Sequence, residues 1–105
     1  MVEISADIKD KIMNYINLLK ENGFPIKEVF LFGSYAHGKQ DEWSDIDLAI
    51  VSDKFEGNRF LDKEKIRKLQ RQIDKRILPF PLSNEDLIDD WFVKSEILQK
   101  GIRIV

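Results

Sequence analysis

The sequence predicts an α+β domain, a small mixed β-sheet with helices packed on it. Three observations carry this. Apolar residues recur at helical spacing after Ser5 and again between about Asp62 and Lys75. Two short runs, "KEVFLFGS" and "SDIDLAIVS", are rich in β-formers and read as strands. Gly and Pro punctuate the joints between these segments. The resulting order is α-β-β-α-β-α, with a possible closing strand.

Ile8, Ile12, Tyr15, Ile16 and Leu19 mark one face of the first helix, and Gly23 and Pro25 supply its stop. A strand follows from about Lys27 to Phe32 and ends abruptly at Gly33. After a polar, glycine-containing loop, the second strand points Ile46, Leu48 and Ile50 to one side and Asp45, Asp47, Ala49 and Val51 to the other. "DKFEGNRF" reads as a loop, and the second helix then carries Ile66, Leu69 and Ile73 on one side. "RILPFPLS" is a third strand that Pro79 and Pro81 confine to a short, irregular or edge position. Ser83 with Asp86 resembles a capping arrangement opening a helix that buries Leu87, Ile88, Trp91 and Phe92 against the sheet. "SEILQKG" makes a last helical turn or two, and "IRIV" closes the chain as a fourth strand.

The 105 residues suffice for one domain, 1–105, with a modest core. At 43% hydrophobic and 34% charged, the balance is that of a soluble globular protein. No apolar stretch approaches the roughly 20 residues that cross a bilayer, and the start lacks a signal peptide's order, so the expectation is a cytoplasmic protein without a membrane partner. With no cysteine and the single histidine His37, a metal would be held by carboxylates. A net charge of −2 gives no reason to expect direct nucleic-acid binding. The locally basic segment 62–76 reads as a solvated helix face, with contact to a polyanion as the alternative.

The stretch with chemical content is "LFGSYAHGKQDEWSDIDLAIV". On a strand, Asp45 and Asp47 share a face, so their carboxylates converge on one point. Two such anions repel unless a cation lies between them, and hard oxygen ligands suit Mg²⁺ or Mn²⁺. Gly33 lets the backbone approach a ligand closely, while the following N–H groups and the Ser34 hydroxyl donate to phosphate. Either feature alone is explained by a strand end or a plain turn. Their joint occurrence is not. The spacing of a Walker P-loop is absent, because Lys39 after Gly38 is followed by Gln40.

"GSYAHGKQDEWSDIDLAI" resembles the G-S…S-D-x-D signature of the nucleotidyltransferase superfamily related to DNA polymerase β. The short length is similar to that of the minimal nucleotidyltransferases encoded beside HEPN-domain partners, some of which act as antitoxins. The resemblance implies the polymerase β-like fold and a Mg²⁺-dependent transfer of NMP, AMP from ATP or another NTP, to a hydroxyl such as a tyrosine of a HEPN-type partner. Residue by residue, it makes Gly33 and Ser34 binders of the triphosphate and Asp45 and Asp47 metal ligands, with Ser44 within reach of a phosphate. His37 stands where the family often has arginine, and a surface loop residue is the competing reading.

Active members usually carry a third carboxylate on the neighbouring strand, where it completes a site for a second metal ion. Here that position falls on Arg76 or Leu78, depending on register, and Asp74 is the nearest acid. Two functions follow from this. One is an enzyme with Asp45, Asp47 and Asp74 as its carboxylates. The alternative is a catalytically degenerate binding module that neutralises its partner by occlusion, through Trp43, the 54–60 loop or the basic helix, with homo-oligomerisation also open.

Overall fold

The computed structural model describes residues 4–38, 44–55 and 58–105 of the chain. Trp43 and residues 56–57 of the 54–60 loop lie outside them. Helix α1, Ala6–Glu21, starts where the Ser5 side chain accepts from the Ile8 N–H, and it buries Ile8, Ile12, Tyr15, Ile16 and Leu19 along one stripe. Asn22 and then Gly23, at φ +88°, end it, with the Phe24 N–H reaching back to the Leu19 carbonyl.

Four strands form one sheet in the order β3-β2-β1-β4: β1 Glu28–Phe32, β2 Ile46–Val51, β3 Ile77–Leu82 and β4 Ile102–Arg103. β1 pairs antiparallel with both β2 and β4, whereas β2 and β3 run parallel. A parallel pair needs a crossover, and helix α2, Arg59–Gln70, supplies it. The edge position foreseen for the proline-bearing strand is the one β3 occupies. The ladder explains why it tolerates two prolines. Ile46 N–H donates to the Arg76 carbonyl and Ser52 N–H to the Leu82 carbonyl, so even-numbered β3 residues turn their backbone toward β2. Pro79 and Pro81 therefore aim their missing donors at the free edge, where no ladder bond is lost and further strand pairing is discouraged.

One face of the sheet, with Val29, Leu31, Ile46, Leu48, Ile50 and Ile77, packs on α1 and on Ile66 of α2. The Tyr15 hydroxyl crosses this core to donate to the Ile66 carbonyl at 3.2 Å, and burial raises its pKa well above the usual phenol range. The opposite face, with Phe30, Ala49, Val51 and Leu82, is covered by Val93 and Ile97 of a π-helical segment, Val93–Gln99.

Three expectations change. α2 begins three residues earlier than Asp62, because Asn58 caps it by accepting from the Leu61 N–H, and it ends at Gln70 rather than Lys75. Ser83 and Asp86 do form a reciprocal capping box, but helix α3 is only Asn84–Asp89. Asp90 then leaves helical geometry and accepts from the Val93 N–H at 3.3 Å, which restarts the helix in a new phase. Val93 and Ile97 thereby turn inward, while Ile88 and Trp91, read from sequence as buried, are 66% and 76% exposed. Phe92 is 41% exposed, its ring lying edge-on to Phe32.

Candidate active site

The site is assembled at the junction of β1 and β2. Phe32, the last residue of β1, pairs with Asp47, so the turn that follows β1 begins beside the Asp47 carboxylate. That turn is a single 3₁₀ turn, Gly33–Tyr35. The Gly33 carbonyl accepts from the N–H groups of Ala36 and His37 at 3.1 and 3.2 Å. Tyr35 and Ala36 are buried and hold the turn down, which leaves Ser34, His37 and Gly38 exposed.

Gly33 is required twice over. Its φ of +73° is a conformation that side chains with a Cβ resist. A Cβ built there would also fall on Asp47 Oδ2, and only 3.1 Å from Asp47 Cγ. The Asp47 carboxylate thus occupies the space that a side chain at position 33 would need.

Asp45 immediately precedes β2 and is exposed, whereas Asp47 is half-buried. Burial, reinforced by the charge of Asp45, raises the pKa of Asp47 above the usual carboxylate range. Both penalties would be relieved by a cation placed between the two groups. Ser44, half-buried, precedes Asp45 in the chain.

Register answers the question of the third acid. Asp47 pairs with Leu78 on β3, which is 37% exposed. Asp74 stands four residues upstream of Leu78 in the turn after α2, and its oxygens are engaged. Oδ1 accepts from the Arg76 N–H at 2.8 Å and from Arg76 Nε at 3.2 Å, while Oδ2 meets Arg76 Nη2 at 2.9 Å and Lys11 Nζ at 3.0 Å. Hydrogen bonding to Arg76, with Lys11 beside it, holds its carboxyl well below the usual range. The structure does not bring Asp74 together with Asp45 and Asp47 as a three-carboxylate group. Asp74 lies outside the strand, tied to α1 through Lys11 and to the start of β3 through Arg76. Among the described residues, no group of three or more His, Cys, Asp or Glu is placed to hold a metal ion.

A cleft of about 330 Å³ opens over the uncovered end of the sheet, lined by Asp47, Phe32, Leu78, Phe80 and Lys63 with both β3 prolines. Phe32, Phe80 and Phe92 form a ring triangle with centroid separations of 5.7, 6.3 and 6.0 Å. Reading the sequence for motifs passes over Phe32, Phe80 and Lys63. The signal for the first two is parity, since Phe32 and Phe80 share the Asp47 face once strand pairing is known.

The nucleotidyltransferase domain family matches residues 12–104, nearly the whole chain. The chain belongs to that family. This nucleotidyltransferase is 30% identical over 93 residues to a candidate protein adenylyltransferase of Methanocaldococcus jannaschii, covering 88% of this chain and 89% of the relative. It is 32% identical over 99 residues to MntA of Haemophilus influenzae, also named a candidate protein adenylyltransferase, covering 94% of this chain and 79% of MntA. Among solved structures, it superposes with a TM-score of 0.63 on a chain of a toxin–antitoxin crystal structure with AMP-PNP, at 25% identity, covering 92% of this chain and 72% of that one. A candidate nucleotidyltransferase from Sulfolobus solfataricus gives a TM-score of 0.56 at 21% identity, covering 98% and 89% of the two chains, a likeness of fold alone. Among the described residues, no helix of this nucleotidyltransferase is long and apolar enough to cross a membrane.

Proposed function

We propose that this nucleotidyltransferase moves an adenylyl group from ATP to a tyrosine hydroxyl of a HEPN-type partner protein and acts as its antitoxin in the cytoplasm. The observation that carries the reading is the fit of the Asp47 carboxylate into the space that Gly33 leaves empty, which joins a phosphate-suited turn to a metal-suited pair of carboxylates. The curated relatives named for protein adenylylation and the toxin–antitoxin likeness support the acceptor class.

In this reading Gly33 and the exposed Ser34 hydroxyl bind the triphosphate, and Ser44 reaches a phosphate from the opposite strand. The donor set fits a hard divalent cation, since two carboxylates spaced i, i+2 meet here and one is held half-buried against the charge of the other. Mg²⁺ on Asp45 and Asp47 would supply charge neutralisation at the phosphates. Phe32 and Phe80 form an apolar floor beside Asp47. The acceptor hydroxyl gives its proton to solvent as its oxygen bonds to the α-phosphorus, the bond from that phosphorus to the bridging oxygen breaks, and pyrophosphate leaves with that oxygen. With Leu78 rather than an acid opposite Asp47, the acceptor that needs least help in losing its proton is favoured. A phenol, with a pKa of about 10, is such an acceptor.

The test is transfer of label from ATP labelled at the α-phosphate, in Mg²⁺, to the partner. The reading expects label on a tyrosine, none from γ-labelled ATP, and loss with Asp45→Asn or Asp47→Asn. The Leu78 position favours one other reading, the occlusion module. That reading expects Asp47→Asn to neutralise the partner as well as wild type does, with no label transferred by either.

A further inference from the structure

Helix α2 lays a row of cations along a second cleft. Lys63, Arg67 and Arg71 recur every four residues, so they stand on one helix face at intervals of about 6 Å. They line a cleft of about 590 Å³ between α2 and the β3 edge, with Lys75 at its far end. Lys63, Arg71 and Lys75 have no acidic partner among the described residues, and Arg67 meets only the exposed Glu64, at 3.3 Å. Segment 62–76 holds seven Lys and Arg against three Asp and Glu, a net of +4 in a chain whose total is −2. The remainder is therefore at −6, so positive charge is concentrated in this segment, and four of its seven cations line the groove.

The apolar part of the lining is equally particular. Phe60, 74% exposed, stands at the α2 N-terminal end of the row, and Leu78 and Pro79 contribute from β3. A single phosphate would engage one cation of the row and leave the rest idle. A chain of regularly spaced phosphates engages all of them, and its bases have the Phe60 ring to stack on. An acidic peptide would satisfy the charges and leave that ring without a function.

We infer that the α2–β3 groove binds a single strand of nucleic acid, its phosphates along Lys63, Arg67, Arg71 and Lys75 and a base on Phe60. The net charge concealed this because the acidic residues lie elsewhere in the chain. Lys63, Leu78 and Pro79 line both this groove and the Asp47 cleft, so a bound strand lies at the mouth of the candidate active site. The inference goes beyond adenylyl transfer and does not depend on it.

The experiment is fluorescence anisotropy of a labelled 20-nucleotide uridine strand with the full chain at 50 mM salt. Four cations predict a log–log salt slope of about −2.8, so affinity falls roughly 50-fold between 50 and 200 mM. The double variant Arg67→Glu, Arg71→Glu should weaken binding at least tenfold. Lys20→Glu with Lys94→Glu, the same charge change on exposed sites elsewhere, should weaken it less than threefold. Glu64→Gln should tighten it. Circular dichroism confirms that each variant is folded, as expected for exposed positions. No binding at 100 μM protein overturns the inference, as does equal loss in the two double variants. Displacement by polyglutamate as effective as by unlabelled strand would assign the groove to an acidic polypeptide instead, and equal displacement by tripolyphosphate would reduce it to a lone polyphosphate site.

Discussion

Asp47 Oδ2 fills the position that a Cβ at Gly33 would take. Two residues 14 apart in sequence, one in the turn after β1 and the other on β2, therefore compete for one volume, and a side chain at position 33 requires Asp47 to move or to be removed.

Substitution at Gly33 separates this contact from backbone strain. Gly23 has a similar positive φ, +88°, but open space where a Cβ would go. Gly23→Ala is expected to cost about 1 kcal/mol, the left-handed backbone penalty alone. Gly33→Ala is expected to cost about 2–4 kcal/mol and to abolish Mg·ATP binding. Asp47→Gly in the Gly33→Ala background should recover the excess over the Gly23 value. Urea denaturation of the four proteins checks it, and an equal cost at the two glycines would refute the contact.

The raised pKa of Asp47 has a definite sign. A carboxyl whose folded pKa lies above its unfolded value stabilises the fold below the unfolded pKa, near 4, and loses that stabilisation as pH rises through the folded one. At neutral pH the ionised Asp47 is thus a cost to the metal-free fold. Asp47→Asn is expected to raise the melting temperature at pH 7, on the order of 2 °C, with the gain vanishing below about pH 4. The same variant should be inactive in adenylyl transfer.

For Asp74 the sign reverses. Its depressed pKa means that the ionised form, paired with Arg76 and Lys11, contributes stability above the unfolded pKa and loses it as pH falls toward the folded one. Asp74→Asn is expected to lower stability by about 1–2 kcal/mol at pH 7, a gap that narrows below about pH 4. Because the side chain serves structure, label transfer at a temperature well below melting should stay within about twofold of wild type. A hundredfold loss of rate in a folded variant would restore Asp74 to the catalytic set.

The re-phased C-terminal helix makes a contrast between neighbours. Ile97→Ala removes a fully buried side chain and should cost about 2–4 kcal/mol. Trp91→Ala, at a position 76% exposed, should change stability by less than about 0.5 kcal/mol. Thermal melts of the two variants check this contrast, and equal costs would refute the re-phasing at Asp90.

The candidate site was legible where its signal is local. Gly33, Ser34, Asp45 and Asp47 stand within one motif, and an i, i+2 pair on a strand shares a face whatever the rest of the chain does. Asn58 as the α2 cap was legible in principle, since it precedes an apolar repeat, yet the charged run after it drew the helix start to Asp62. The third-acid question was not legible. Asp74, Arg76 and Leu78 share parity, and only pairing with β2 distinguishes among them.

What the sequence by itself determined is the family motif, the order of elements and the chemistry at the β1–β2 turn, because periodicity, turn residues and ligand types are properties of short segments. The tertiary structure decided which residue faces Asp47, what Asp74 is for, which aromatic side chains are exposed, and that four scattered cations line one groove. These are matters of register, helix phase and crossover. Each is set by contacts between segments far apart in the chain, where a shift of one residue exchanges the inside for the outside.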